Sequence, residues 1–523
     1  MSGAGPPQAA NPVPSGDSAA AKPQAWGDHT RGAGPQALSV REAFREVFPG
    51  VMVAMFLAAA DQTILATALP TIASHLGGFE YLSWVVVAYL VAATIAAPLY
   101  GHLGDRFGRR RMLMVALAIF TIASIGCAAA PTLLTLVVAR AVQGAGGGGL
   151  MTLAQALIGE HVPPRERGRF QGYFAGVFAL ASTSGPILGA YLTEHVSWRS
   201  VFAINLPLGV LAGVLAQRIP DIVAPHDEGY RPDVVGALLF CAATLGFLFA
   251  LSSAGHALAF DSWGLYALIA AVVIAFAGLY RWEQRAAQPV IPVALLRRPE
   301  ILRADVVVAC FAATLFATVL YLPLYLQAGR GLAIGVSGTL LLPITLSMVT
   351  GATVTGRLVT RTGKVTIFPI VGLALATCAL VALAAIVTFA PTSALLCMTA
   401  LTGFGLGMVM PALQVAVQAA AGRHALGSAI GSMSLSRSIG GAIGVAIIGA
   451  IVFVSVGRRD GGAATLLARL VEQGPEVLGQ LAAADRSALA RELDRTFRSV
   501  FLSIAVMAGL GAFVATTVPK PRL

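Results

Sequence analysis

The sequence predicts an all-α polytopic membrane protein of fourteen transmembrane helices, and three observations carry that expectation. Hydrophobic residues fill 57% of the 523 positions and charged residues only 11%, against about 25% charged in soluble globular chains. A water-soluble fold of this length needs more polar surface to cover itself. Apolar runs of about 20 residues recur along nearly the whole chain, each long enough as a helix to cross roughly 30 Å of hydrocarbon. The third observation is that basic residues alternate between rich and poor connections.

Taken in order, the runs place helices at 48–71, 82–102, 112–130, 133–158, 170–192, 200–216, 233–255, 263–281, 304–328, 336–356, 365–389, 393–416, 427–453 and 498–518. Residues 1–46 are rich in Pro, Ala, Gly and Ser and are expected to form a disordered cytoplasmic tail, neither a signal peptide nor a domain. Residues 47–216 are expected as a first six-helix bundle, 217–303 as a linker carrying two inserted helices, and 304–523 as a second bundle. The last of these includes a long extracytoplasmic loop, 454–498. There Leu466, Leu467, Leu470 and Val471, and later Leu489 and Leu493, have helical spacing and predict two short amphipathic helices.

The net charge of +11 invites a nucleic-acid reading until the charges are mapped. With fourteen helices both ends lie on one side. Eighteen Lys and Arg fall in the connections of that side, including Arg106, Arg109, Arg110, Arg111, Arg165, Arg167, Arg169, Arg231, Arg357, Arg361, Lys364 and Arg423, whereas the short connections opposite hold Arg199 and Arg330. The positive-inside rule then puts the rich side and both termini in the cytoplasm of a cell whose inner membrane holds the protein. Seven arginines in the long loop do not count against this, because long loops translocate largely regardless of charge. The basic surplus is an orientation signal, the bilayer is the partner it implies, and nucleic acid is not.

The five cysteines, Cys127, Cys241, Cys310, Cys378 and Cys397, are scattered singly inside spans, without metal spacing. They read as small packing residues, and no metal or cofactor is expected. No paired carboxylates or nucleophile constellation argues for an enzyme. Three lysines in the whole chain, none at P-loop spacing, argue against ATP.

The chain contains a repeat. Gly101-His-Leu-Gly-Asp-Arg-Phe-Gly-Arg109 aligns without a gap on Gly356-Arg-Leu-Val-Thr-Arg-Thr-Gly-Lys364, with Asp105 replaced by Thr360. Both copies follow the second helix of a six-helix block. Two repeats of the same handedness fit halves related by an axis along the membrane normal, with a binding site between them near the midplane.

Inside the spans stand charges that hydrocarbon penalises by at least about 2.5–3.5 kcal/mol, which makes them functional candidates. Asp61 lies near the middle of the first helix beside Gln62 and Thr63, and Arg140 shares a face of the fourth with Gln143, Gly144 and Gly147. Arg437 in the thirteenth is the third such charge, either functional or close enough to the cytoplasmic end to be hydrated. The run Gly144-Ala-Gly-Gly-Gly-Gly149 lies within a span and reads as a helix face thin enough for close approach, not a nucleotide loop. Pro186 is expected to bend the fifth helix. Gln62, Tyr89, Gln143, Gln155, Gln327 and Gln414 are candidate pocket residues, and such a set suits bulky amphipathic molecules better than sugars or inorganic ions.

The stretch GHLGDRFGRRR (Gly101–Arg111) resembles the loop signature of the major facilitator superfamily. LAAADQTILATALPTI (Leu57–Ile72) with SWVVVAYL, ARAVQGAGGGG, SGPILGAYL and WRSVFAINLPLG narrow the resemblance to its fourteen-helix drug:proton antiporters, the EmrB/QacA-like family. The resemblance covers all the helices, with the sharp motifs in the first 210 residues. It implies a major facilitator fold of two six-helix bundles plus two inserted helices, working by alternating access to exchange small lipophilic or amphipathic molecules for protons. It further implies a conformational latch at Gly101, Gly104, Asp105, Arg106, Gly108, Arg109 and Arg110, and an antiporter motif at Gly185, Pro186 and Gly189. Proton coupling at Asp61 and Arg140 completes the set. Gly189-Ala190 and Ala181 stand where the antiporter pattern has glycines. A same-fold uniporter, symporter or exporter of one metabolite, and a non-transporting receptor or scaffold, are the alternatives. The sequence identifies no periplasmic or outer-membrane partner.

Overall fold

In a computed structural model, residues 39–77, 82–220, 233–253, 262–286, 293–328, 340–422, 425–457 and 483–519, with residues 3, 289 and 330, are described. Arg231, Arg423 and the Leu466–Val471 segment lie outside them. The described helices belong to one compact unit, Ala37–Leu523.

A short helix opens it. Ser39 and Glu42 form a capping box at the start of α1 (Val40–Glu46); hydrogen bonds from the Ser39 side chain and then its backbone hold the Glu42 carboxyl below its ordinary range. The expected tail of 1–46 is therefore corrected at its end: Ser-x-x-Glu is a helix-start signature, and Ala43 and Val47 are fully buried beyond it.

Six further stretches follow as α2 (Phe48–Leu76), α3 (Leu82–Phe107), α4 (Arg109–Ala129), α5 (Leu133–His161), α6 (Arg167–His195) and the pair α7 (Ser200–Ala203) and α8 (Asn205–Ala216). Next come α9 (Val234–Ser253), α10 (Trp263–Glu283), and the four-residue α11 (Val293–Leu296). The chain ends with α12 (Pro299–Ala328), α13 (Leu342–Thr362), α14 (Ile367–Ile386), α15 (Thr392–Gly407), α16 (Val409–Ala421), α17 (Leu426–Gly457) and α18 (Ala483–Thr517). No strand occurs among the described residues.

The protein is a multi-pass membrane protein. Twelve described spans are long and apolar enough to cross a bilayer, α15 and α16 counting as one, and two shorter apolar stretches, Ser200–Ala216 and Val234–Ala250, stand where the sixth and seventh helices are expected. Exposed Ile122, Leu134, Val273 and Phe513 cover the outer surface, as a lipid-facing surface requires.

Two sets of helices pack internally. In the first, α5 is the hub, lying against α3 and α4, while α2 packs on α6 and α8. In the second, α12 packs on α17 and α18, α13 on α15, and α14 on α15 and α18. The glycine run lets the hub helix be gripped from both sides: Gly144 and Gly148 meet the backbone of α3 at Tyr89 and Ala93, whereas Gly146 meets α4 at Phe120. Between the sets, α3 packs on α17 and α6 on α13. The inserted helices α9 and α10 pack on each other through Phe247 and Phe276, whose rings lie 6.3 Å apart.

Candidate transport site

Asp61 is 1% exposed inside the first set of helices, and α5 and α8 supply its partners. Arg140 Nη1 on α5 donates to its Oδ2 at 2.6 Å. Gln143 Nε2, one turn along α5, donates to Oδ1 at 2.9 Å, and Asn205 Nδ2 on α8 donates to the same oxygen at 2.7 Å. Ser124 on α4 accepts from Gln143 at 2.8 Å and hands its own proton to the Phe120 carbonyl. Arg140 is itself 1% exposed; it donates Nη1 to Gln143 Oε1 at 2.6 Å and Nε to the Val85 carbonyl at 3.2 Å, with its guanidinium 4.3 Å from the Tyr89 ring centre. Every partner is a donor aimed at a carboxylate or a neutral acceptor of such a donor, so the arrangement fits an ionised Asp61. Adding one proton to the carboxylate removes the reason for the arginine to be there.

Just beyond Asp61, α2 meets α6. Thr63 donates to the Ala181 carbonyl at 3.1 Å. A side chain at Gly185 would run into Thr63, and one at Gly189 into the Ile64 carbonyl. The antiporter-like stretch is thus the seat against which the Asp61-bearing helix rests. α6 runs unbroken through Pro186.

The two sets meet at the end that carries the repeated motif. Asp105 accepts from the backbone N–H groups of Gly427 and Ser428, both at 2.8 Å, and from the Ser428 hydroxyl at 3.0 Å. Those are first-turn donors of α17, unpaired within their own helix, and a carboxylate there also meets the positive end of the helix dipole. Arg109 binds Asp105 at 2.6 Å and Glu160 at 2.8 Å, with 4% of its side chain exposed. Gly101 abuts the backbone of Gly427, and Gly168 that of Gly356. Gln414 donates to Gln155 Oε1 at 2.6 Å across the seam, and farther from this end, at mid-depth, Thr94 donates to Ser438 at 3.1 Å. This end is closed.

These positions sharpen some expectations and correct others. Asp61 and Arg140 come together, as do Asp105 and Arg109; Arg110 reaches the Gln217 carbonyl at 2.9 Å. The motif is not a loop, however. α3 continues to Phe107, because nothing before Gly108 breaks it, so Gly101 and Gly104 are helical packing positions and only Gly108, at φ 93°, makes the turn. Among the pocket candidates, Gln62 is exposed and Gln327 half-buried. Tyr89 (1% exposed) and Gln143 (0%) serve the buried network instead of open space, and Gln155 and Gln414 hold each other. The two amphipathic helices expected before the last span become, for Leu489 and Leu493, part of α18 itself.

Four partners were not legible: Ser124, Asn205, Glu160 and Asp305. Asn205 stands in the quoted WRSVFAINLPLG, and a lone amide between apolar residues was its signal. Asp305 is 5% exposed in α12, takes the Ser432 hydroxyl, and leaves Oδ1 without a partner. It borders a cavity of about 260 Å³ with Pro98, Ser428 and Ser436. The span expected at 304–328 begins five residues sooner, at Pro299, which sets Asp305 inside the helix.

Two helix sets of equivalent build, a buried intramembrane ion pair and a seam closed at one end define a membrane carrier. The comparisons name its family: the chain matches the Major Facilitator Superfamily over residues 51–445, and it belongs to that family. It is 32% identical over 496 residues to an uncharacterized MFS-type transporter of Mycobacterium tuberculosis (strain ATCC 25618 / H37Rv), covering 94% of this chain and 72% of that one. The multidrug transporter protein MdtP of Bacillus subtilis (strain 168) is 31% identical over 381 residues, 72% of this chain and 70% of MdtP. Efflux pump dotC of Dothistroma septosporum is 38% identical over 324 residues, 60% of this chain and 55% of its own. Among solved structures, the proton:xylose symporter XylE superposes with a TM-score of 0.59 at 15% identity, covering 91% of this chain and 96% of that one. The human organic anion transporter MFSD10 (TETRAN) does so at 0.58 and 16% identity, over 90% and 99%. The chain is a transporter and not an enzyme.

Proposed function

We propose that this transporter is an exporter that exchanges protons for small amphipathic molecules across the cytoplasmic membrane, with Asp61 as the proton carrier. The observation that carries the reading is the buried Asp61–Arg140 pair at 2.6 Å, held by Gln143 and Asn205. MdtP, a multidrug transporter, supports the substrate class, and dotC, an efflux pump, supports the direction.

Asp61 is enclosed within one set of helices, so proton and substrate need not touch. Protonation removes the charge that holds Arg140 and the amides; α2 is then freed from α5 and α8, and its seat on Gly185 and Gly189 lets it rock against α6. With the motif end closed and, by the charge map, cytoplasmic, a proton enters and substrate leaves from the opposite side. The opposite movement breaks the Asp105 contacts and opens the cytoplasmic end. Each proton moving inward contributes about 2.3 kcal/mol per 100 mV of membrane potential.

The test is proton movement in inside-out vesicles carrying an acid-inside gradient. Adding candidate lipophilic drugs is expected to release protons from vesicles with the wild type and not with Asp61→Asn. Release that persists in Asp61→Asn removes Asp61 from the mechanism, and substrate uptake into the vesicles without any proton movement replaces exchange by uniport.

A further inference from the structure

Arg437 is the intramembrane charge that the network above does not use. It lies eleven residues beyond Leu426 in α17, about 16 Å from the closed end, near the middle of a hydrocarbon core of roughly 30 Å. The helix geometry fixes which way it points. At about 100° per residue, Ile430 and Ile448 fall within about 20° of Arg437, and both are fully buried. The exposed Ile443 and Ile447 lie on another face. Arg437 nevertheless is exposed, although protein atoms crowd its position as they do a buried one. Its surface therefore lies on the inward face of the helix, where Gly444, seven residues on along the same stripe, abuts Ala313 of α12. One turn on, Gly441 packs against the ring of Phe316, itself 45% exposed.

Among the described residues no acidic side chain pairs with this cation. No Asp or Glu occurs between Asp305 and Asp460, and Asp305, the acid of the facing helix α12, is bound to Ser432, five residues before Arg437. Asp61, the acid at comparable depth in the first set of helices, is saturated by Arg140, Gln143 and Asn205. An arginine at this depth is costly unless paired or hydrated, and its planar fork suits carboxylate, sulfonate and phosphate oxygens.

We propose that Arg437 is the anion-binding residue of the substrate cavity, and that the transported molecules are amphipathic anions whose acidic group pairs with Arg437 while the apolar body lies toward Phe316. This rests on the reading of the protein as a carrier of amphipathic molecules and narrows it to one sign of charge.

Binding, not transport, tests it, so a failure of proton exchange leaves the outcome readable. Purified full-length protein in lipid nanodiscs would be titrated with three dansyl probes of equal chain length ending in a sulfonate, a neutral amide or a trimethylammonium. The wild type is expected to bind the sulfonate about tenfold more tightly than the amide, the effect of one charge-assisted contact. Arg437→Gln should lose that preference and keep the amide affinity; Arg437→Lys should keep part of it; Arg437→Glu should favour the trimethylammonium probe. Equal wild-type affinity for all three, a wild-type preference for the cation, or a sulfonate preference that survives Arg437→Gln each overturns the proposal. Where Arg437→Gln fails to fold, the wild-type ranking and the Arg437→Lys titration decide it.

Discussion

The first copy of the repeat, Gly101–Arg109, and the second, Gly356–Lys364, share a backbone and differ in one side chain that matters. Gly108 and Gly363 hold the same place and turn the chain with φ of 93° and 68°. Gly101 meets Gly427, and Gly356 meets Gly168, so each copy clamps one helix of the opposite set by backbone contact. Asp105 then adds three hydrogen bonds to the start of α17, whereas Thr360 turns its hydroxyl back to the Gly356 carbonyl of its own helix at 3.0 Å. The steric half of the clamp is duplicated and the electrostatic half is not. Closure is therefore a pair of tight glycine seams, and of the two copies of the motif the first adds a carboxylate to its seam while the second does not.

The largest expected effect on that contrast comes from Arg109→Gln, which strands Asp105 and Glu160 together in a site of low exposure. Losing one member of a buried ion pair costs about 3–5 kcal/mol, so a clear drop in the thermal unfolding midpoint of detergent-solubilised protein is expected, with no comparable drop for Lys364→Gln. Next in size, Gly101→Ala and Gly356→Ala should act alike, because each Cβ would meet a backbone carbonyl. Overpacking of about 1–3 kcal/mol would open the closed end, and a cysteine placed at Gln155 would become reactive to a membrane-impermeant maleimide. Equal protection in both variants would mean that the glycine seams do not hold the closed state.

Asp105→Asn removes the charge and turns one of the two acceptor oxygens into an amide donor; it is expected to weaken closure by about 1.5–3 kcal/mol, the range for a hydrogen bond to a charged group, read by the same labelling. Thr360→Asp asks whether the asymmetry can be repaired. A carboxylate aimed at the first turn of α6 should stabilise the closed form by about 0.3–1 kcal/mol and slow turnover. Thr360→Val should change neither measurement appreciably; if it matches Asp105→Asn, the distinction between the copies fails.

Much of this was legible because membrane spans advertise themselves. The predicted starts at 48, 82, 133 and 263 coincide with α2, α3, α5 and α10. The tenth expected helix shows what was overlooked. It was placed at 336–356, yet α13 runs Leu342–Thr362, with Pro343 in its first turn and Gly363 in the left-handed conformation after its last; both are ordinary boundary signals. At the other extreme, no Gly or Pro interrupts Ala483–Ala508, so the amphipathic stretch and the last span form one helix.

The sequence by itself determined that the chain lives in a bilayer, where its helices fall, that it contains two related halves, and that Asp61, Asp105, Arg140 and Arg437 need reasons to be where they are. Composition and period set these, since hydrocarbon thickness and the cost of charge act on each segment alone. Only the tertiary structure decided the partners. It gave Asp61 an arginine and two amides from other helices, gave Asp105 the free end of α17, and left Arg437 exposed with no acidic partner among the described residues. Such pairings depend on how helices far apart in the chain rotate and cross, and no local pattern encodes an angle between them.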